Sequence, residues 1–214
     1  MIKAVIFDMD GVIIDSEVVY LEYQLEFART KNPNVVLKDL FPMVGATSQD
    51  CWEVLERAVS NGQTWEELRM EFRQKNIYDE IDYRSIYRPE VTDTLMQLKQ
   101  AGYRLALASS THLELVERVL KENGIRDYFE AVVSGEQFKR SKPDPEIYLY
   151  TAKQLNLSPG ECLAVEDSTI GITAAHRAGV VTAAVIDTRF GLDQSLADYK
   201  LNQVKDVLEA VKLA

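Results

Sequence analysis

The 214-residue chain is 46% hydrophobic and 27% charged, which suits one large globular domain or one domain carrying an insertion. Its formal net charge of −10, with no basic stretch to offset it, disfavours general attraction to nucleic acid or to an anionic membrane. A phosphate-bearing ligand therefore needs locally focused positive charge.

The first element is the strand Lys3–Phe7, whose apolar run Ala4–Phe7 is too short for a signal peptide, and no later run reaches transmembrane length; the expectation is a cytoplasmic protein. This strand ends in Asp8-Met-Asp10-Gly11, two acids on alternate residues followed by a residue that permits a sharp turn. Residues 16–87 then lose the strand pattern. Val19, Tyr23 and Phe27 recur at helical spacing, 47–60 repeat the pattern with Trp52, Val54, Leu55 and Val59, and Thr64 to Glu67 forms a capping box before Leu68 and Phe72. A helical insertion over 16–87 follows, set in a core made of 1–15 and 88–214.

Beyond residue 88 short apolar runs alternate with amphipathic stretches: the strand 104–109, a helix over 112–123, the strand 131–134 and a helix over 145–155. Then come the strand 162–166, a helix over 169–178 stopped by Gly179, and the strand 180–186. With the first run this gives five parallel strands covered on both faces, an α/β, Rossmann-like sheet. Cys51 and Cys162 lie far apart without metal-ligand spacing, which predicts free thiols.

In open parallel sheets ligands bind beyond the carboxyl ends of the strands, so the residues after each apolar run carry the chemistry. Those residues are Asp8 and Asp10, then Ser109, Ser110 and Thr111, then Lys142 between Ser141 and Pro143, then Glu166 and Asp167. Singly each has a bland reading: solvated acids, helix N-caps or a loop lysine. Together they explain why a strand built for burial ends in acid. A hard divalent cation offsets the carboxylate repulsion, and Mg²⁺ prefers a few such oxygens together with water and phosphate. Hydroxyls and N–H groups at a helix start favour an anion alongside.

The motifs "DMDGV" at Asp8, "ASS" at Ser109, "SKPDP" at Lys142 and "VEDS" at Glu166, in that order, resemble those of the haloacid dehalogenase-like hydrolases, in the subgroup with a helical cap after the first strand. The likeness covers the whole chain and is nearest to phosphatases and phosphomutases of small phosphorylated sugars and alcohols. It implies that Asp8 is the nucleophile, forming an aspartyl-phosphate, and that Asp10 is the general acid and then base. It implies that Ser109, the Ser110 N–H and Lys142 hold the phosphoryl oxygens, and that Asp8, the Asp10 carbonyl and Asp167 hold Mg²⁺, with Glu166 bound directly or through water. The partner is a small phosphorylated substrate; oligomeric state is open.

Mutases that this chain resembles carry a His at the position of Tyr20 and basic residues in the cap loop that aligns with 44–48. Here Gly45, Ala46, Thr47 and Ser48 offer no cation. These residues and Tyr20 are candidates for substrate specificity, and the departure favours a phosphatase over a phosphomutase. Dehalogenase relatives lack the carboxylate at the Asp10 position. A third reading, a non-catalytic phosphoacceptor like signalling receiver domains, needs no large cap.

Overall fold

Four buried residues, Ala4–Phe7, form strand β1 in the interior of a six-stranded sheet ordered β3-β2-β1-β4-β5-β6. The computed structural model describes Met1 to Ala214 and divides the chain into two compact units, Met1–Asp15 with Tyr83–Ala214, and Ser16–Asp82.

The elements run in order from β1 into the second unit, with α1 (Glu17–Lys31), α2 (Ser48–Val59), α3 (Trp65–Arg73) and the short α4 (Ile77–Glu80). The first unit resumes with α5 (Glu90–Gln100), β2 (Arg104–Ser109), α6 (Leu113–Glu122), β3 (Ala131–Ser134), α7 (Glu146–Gln154) and β4 (Cys162–Glu166). It ends with α8 (Thr169–Arg177), β5 (Val181–Val185), β6 (Tyr199–Leu201) and α9 (Val207–Leu213). Every strand pair is parallel. The sheet thus has six strands rather than five. The edge strand β6 is only three residues long and mixes Tyr, Lys and Leu, too short for a periodic signal. Helices α5 and α9 also lie outside the elements read from the sequence, although Val91, Leu95 and Leu98 of α5 are buried at helical spacing.

Alternation along the strands separates two apolar faces. Ala4, Ile6, Ala106, Ala108 and Ala164 pack with Ile147, Tyr148 and Ala152 of α7 and Ala174 and Ala175 of α8. The opposite face carries Phe7, whose ring meets Phe129 edge-on at 6.3 Å. Register places the chemistry: Phe7 pairs with Leu107 on one side and Val165 on the other, so Asp8, Ala108 and Glu166 come level at the carboxyl ends of three adjacent strands.

The return from the second unit falls at Asp82–Tyr83, whereas the sequence puts it at 87–88. Residues 83–87 are tied to the first unit: Tyr83 is fully buried, Arg84 Nε donates to the Glu122 carbonyl, and the Asp15 N–H donates to the Ile86 carbonyl. A polar stretch, "YRSIY", carries no periodicity that separates linker from insertion.

The second unit has its own core. Phe72 of α3 meets Phe27 of α1 at 5.3 Å and Trp52 of α2 at 5.4 Å, both edge-on, over buried Leu40, Leu55 and Leu68. The capping box at the start of α3 forms as read, with Thr64 N–H donating to Glu67 Oε2 and Glu67 N–H to Thr64 Oγ1. Phe72→Ala is expected to destabilise this unit by roughly 3–5 kcal/mol. Hydrogen exchange should then show lost protection concentrated in 16–82, with β1 and β4 amides still slow; uniform loss across both units would contradict a separate core.

Candidate active site

Asp8 follows β1 directly, and its N–H donates to the Val165 carbonyl at 2.9 Å, the last ladder bond before the chain turns. Met9 is fully buried and its carbonyl accepts from the N–H groups of Val12, Ile13 and Ile14, so the chain makes one tight loop. Gly11 sits in that loop with φ +72°, in the left-handed region. A Cβ there would also fall 1.9 Å from Asp167 Oδ2. The glycine therefore serves twice, for the turn and for the approach of a carboxylate.

Four ionisable groups meet in the interior of the first unit. Asp8, Lys142, Glu166 and Asp167 are 7%, 3%, 0% and 4% exposed. Carboxylate oxygens of Asp8, Glu166 and Asp167 lie within 4.8 Å of one another. Lys142 Nζ donates to the Ala108 carbonyl at 3.0 Å and to Glu166 Oε1 at 2.6 Å, and lies 3.1 Å from Asp8 Oδ1. That last contact is an ion pair without hydrogen-bond geometry, and Asp8 Oδ1 is buried with no hydrogen-bond partner. Two of the three ammonium protons are thus committed, which leaves one for Asp8 or for a bound anion.

Glu166 is held on every side. Its Oε1 also accepts from Tyr148 Oη at 2.5 Å, and its Oε2 accepts from the Asp167 N–H at 3.3 Å and Ser168 Oγ at 3.4 Å. The space for it exists because position 171 is glycine: a Cβ there would lie 2.1 Å from both carboxylate oxygens. Asp167 is fixed through its backbone, where its carbonyl accepts from Gln194 Nε2 at 2.6 Å; the same amide reaches the Val185 carbonyl at 2.7 Å.

Burial and the neighbouring Glu166 push the Asp8 carboxyl up to about 8, against the opposing pull of Lys142. Burial alone would lower the Lys142 ammonium, but Asp8 and Glu166 outweigh it and hold it well above its ordinary value. Burial and the Glu166 charge likewise raise the Tyr148 hydroxyl well above its usual range, so it stays a donor.

Three carboxylates against one ammonium leave a formal excess of two negative charges. Each like-charged pair at 4.8 Å costs roughly 3–4 kcal/mol at an effective dielectric constant near 20. A buried carboxylate oxygen lacking a hydrogen bond, beside two further carboxylates, is a donor set that fits a hard divalent cation. Such a charge would also return Asp8 to its ionised form.

Asp10 stands apart from this cluster. It is half-buried, pairs with Ile14 in an isolated bridge, and its Oδ2 accepts from Thr111 Oγ1 at 2.8 Å. Ser109 ends β2, fully buried, with its Oγ accepting from the Thr111 N–H at 3.0 Å; Ser110 is exposed beside it. Of the strand-end residues named from the sequence, the structure brings together Asp8, Lys142, Glu166 and Asp167, with Ser109 buried at the end of β2 and Asp10 and Ser110 outside that buried cluster. It adds Tyr148, Gly171 and Gln194, which sequence reasoning did not name as site residues, and gives Thr111 a partner in Asp10. Only the helical spacing of Tyr148 three residues after Pro145 hints at an inward position.

The specificity candidates lie in the second unit. Tyr20 meets Tyr78 edge-on at 5.6 Å, and Gly45 has φ +65°. Ala46 N–H donates to the Met43 carbonyl, Thr47 caps α2 with its Oγ1 accepting from the Asp50 N–H, and Ser48 is the first residue of α2. Helix-start geometry thus accounts for Thr47 without a ligand. His112 pairs with Glu136 on the surface, His176 is exposed, and both cysteines are free. No helix is long and apolar enough to cross a membrane.

The family model for haloacid dehalogenase-like hydrolases matches residues 5–185. The chain is 34% identical over 202 residues to the phosphorylated carbohydrates phosphatase of Thermotoga maritima, covering 92% of this chain and 88% of that protein. It is 28% identical over 215 residues to pyrophosphatase PpaX of Bacillus anthracis, covering 97% and 95%. Among solved structures, the β-phosphoglucomutase of Clostridium difficile superimposes with a TM-score of 0.79 at 24% identity, covering 100% of this chain and 96% of that one, a likeness of fold.

Gly171→Ala forces the Glu166 carboxylate out of its seat and is expected to destabilise the first unit by roughly 1–3 kcal/mol. Gly160→Ala, where a Cβ meets nothing within 4 Å, is the control and should stay within about 0.5 kcal/mol. Urea midpoints measure both; equal effects would mean that Glu166 moves aside freely.

Proposed function

The chain belongs to the haloacid dehalogenase-like hydrolase family, and from that footing we propose that it is a Mg²⁺-dependent phosphomonoesterase acting on the monophosphate of a small sugar or polyol. The observation that carries the reading is the buried cluster of Asp8, Lys142, Glu166 and Asp167 at adjacent strand ends. The 34% identity to a phosphatase of phosphorylated carbohydrates supports the substrate class.

Asp8, Asp167 and the Asp10 carbonyl would hold Mg²⁺, with Glu166 adding its charge while its own oxygens accept from Lys142, Tyr148, Asp167 N–H and Ser168. When bound, the cation supplies the charge neutralisation that lets one anion approach another. Asp8 attacks phosphorus in line; the Asp8 oxygen–phosphorus bond forms as the bond to the leaving oxygen breaks, giving an aspartyl-phosphate. Asp10 delivers its proton to the departing alkoxide. The third N–H of Lys142, the Ser109 hydroxyl and the Ser110 N–H stabilise the equatorial oxygens as charge redistributes. Asp10, now ionised, takes a proton from the water that attacks the acyl phosphate, which restores Asp8 and releases phosphate.

Asp8→Asn is isosteric and a poor nucleophile, so turnover should fall by at least roughly 10³-fold while the fold persists. Rapid acid quench of the wild type should trap a phosphoryl-sized mass increment on the peptide holding Asp8. Wild-type turnover in freshly purified, undeamidated Asp8→Asn protein would end the nucleophile assignment.

Exhaustive chelation should abolish turnover and Mg²⁺ should restore it. Asp167→Ala should weaken Mg²⁺ binding by roughly 10-fold or more in calorimetric titration as well as in activity. Full activity after chelation would remove the metal from the mechanism.

A second reading, sugar phosphomutase, has one observation in its favour. Along α3 a cavity of about 460 Å³ is lined by Arg69 and Arg73, and Arg69 Nε is buried without a hydrogen-bond partner. The two guanidinium groups repel and offer charge that Tyr20 and residues 44–48 do not. Supplying a hexose monophosphate with a catalytic amount of its bisphosphate, and following phosphorus NMR, separates the readings. Inorganic phosphate is expected to accumulate faster than any isomeric sugar phosphate; the reverse order would establish the mutase.

A further inference from the structure

We infer that Thr111 is the positioning residue for the Asp10 carboxyl, fixing the direction in which Asp10 presents its proton to the leaving oxygen. The inference rests on the reading of Asp10 as general acid and deepens it. The Thr111 hydroxyl donates to Asp10 Oδ2 at 2.8 Å, a contact between residues 101 positions apart in the chain. A single hydrogen bond to one carboxyl oxygen fixes the rotation of the carboxyl plane, and with it the aim of the other oxygen.

The hydroxyl is itself held by an anchored backbone. Thr111 N–H donates to Ser109 Oγ at 3.0 Å at the end of β2, and Thr111 carbonyl accepts from Ser134 Oγ at 2.7 Å at the end of β3. Ser109 and Ser134 are both fully buried, and they are paired in the sheet register. Two strand ends therefore clamp both peptide groups of one threonine. Its β-branched side chain has few rotamers left to choose among, so little further ordering is needed to hold the hydroxyl on Asp10.

The residue type also suits the chemistry. A hydroxyl can donate to Oδ2 both when the carboxyl is ionised and when it carries its proton on Oδ1, so the same contact survives both protonation states that an acid-then-base residue passes through. A lysine in this place would favour only the ionised form. A bland alternative exists: Ser109, Thr111 and Ser134 form a loop anchor, and the Asp10 contact is incidental. That alternative predicts no dependence on the leaving group.

The test compares wild type, Thr111→Val, Thr111→Ala, Thr111→Ser and Asp10→Asn on glycerol 3-phosphate and 4-nitrophenyl phosphate under single-turnover conditions. Thr111→Val and Thr111→Ala are expected to lose about 10- to 100-fold on the alkyl ester, the share of a hydrogen bond to a charged group. On the aryl ester, whose leaving group needs little protonation, they should lose less than about 3-fold. Thr111→Ser keeps the hydroxyl and should stay within about 3-fold on both. The alanine variant carries the same expectation should valine disturb the loop, and urea midpoints report the fold of each. Equal losses on the two esters, with Asp10→Asn still selective for the alkyl ester, would overturn the positioning role and leave the loop anchor. An Asp10→Asn variant equally slow on both esters would overturn the acid reading, and the inference with it.

Discussion

Burial of three carboxylates around one ammonium is the constraint on which the rest of the first unit depends. Any one of these charges alone would be driven neutral by desolvation, as the Asp8 carboxyl begins to be. The fold answers with geometry before chemistry: β1, β2 and β4 end level, so Lys142 can reach Ala108, Asp8 and Glu166 at once. Two positions must then lack a Cβ, Gly11 for Asp167 and Gly171 for Glu166. Tyr148 supplies a second donor to the same Glu166 oxygen that Lys142 uses.

Asp8 and Asp10 are two residues apart in sequence yet stand in different media. Asp8 is in a dry, charged cluster; Asp10 is half-exposed with a hydroxyl on its Oδ2. Separation of environments would let two like residues divide the proposed roles of nucleophile and proton carrier. The intervening Met9 turns into the core, which anchors the loop between them and keeps the two carboxylates from sharing one site.

The strand ends were legible in the sequence because buried parallel strands are continuous apolar runs, and a polar residue after such a run is conspicuous. Asp8, Ser109, Glu166 and Asp167 announce themselves in this way, whereas Lys142 lies well beyond the end of β3 and is marked instead by the prolines at 143 and 145. Tyr148 and Gln194 carry no such mark. Each belongs to a common residue type, and each meets the site across a sequence gap, 18 residues for Tyr148 to Glu166 and 27 for Gln194 to Asp167, which no local pattern encodes. Gly171 looks like a weak helical residue until the carboxylate occupying its missing Cβ is known. Thr47, a specificity candidate in the sequence, also caps α2, a role that its position before the helical pattern equally encodes. The edge strand β6 was too short to register, and the boundary at Asp82 lies in polar chain whose attachment is visible only through its hydrogen bonds.

Every group assigned to phosphoryl transfer comes from the first unit, Met1–Asp15 with Tyr83–Ala214. In the proposed mechanism those groups address phosphorus, its oxygens and the proton of the leaving atom, and none of them reads the carbon skeleton beyond. A cluster confined to these groups would suit hydrolysis and phosphoryl exchange alike. What separates the two activities is whether a second anionic group is gripped while water is refused. In this sequence Tyr20 and residues 44–48 carry no cation, while Arg69 and Arg73 line a cavity along α3. The guanidinium pair on α3 is partly buried at Arg69 and repels itself, so its presence is permissive, whereas the missing cations at 44–48 withdraw a specific contact. The asymmetry between a permissive presence and a specific absence is the physical ground for ranking hydrolysis first.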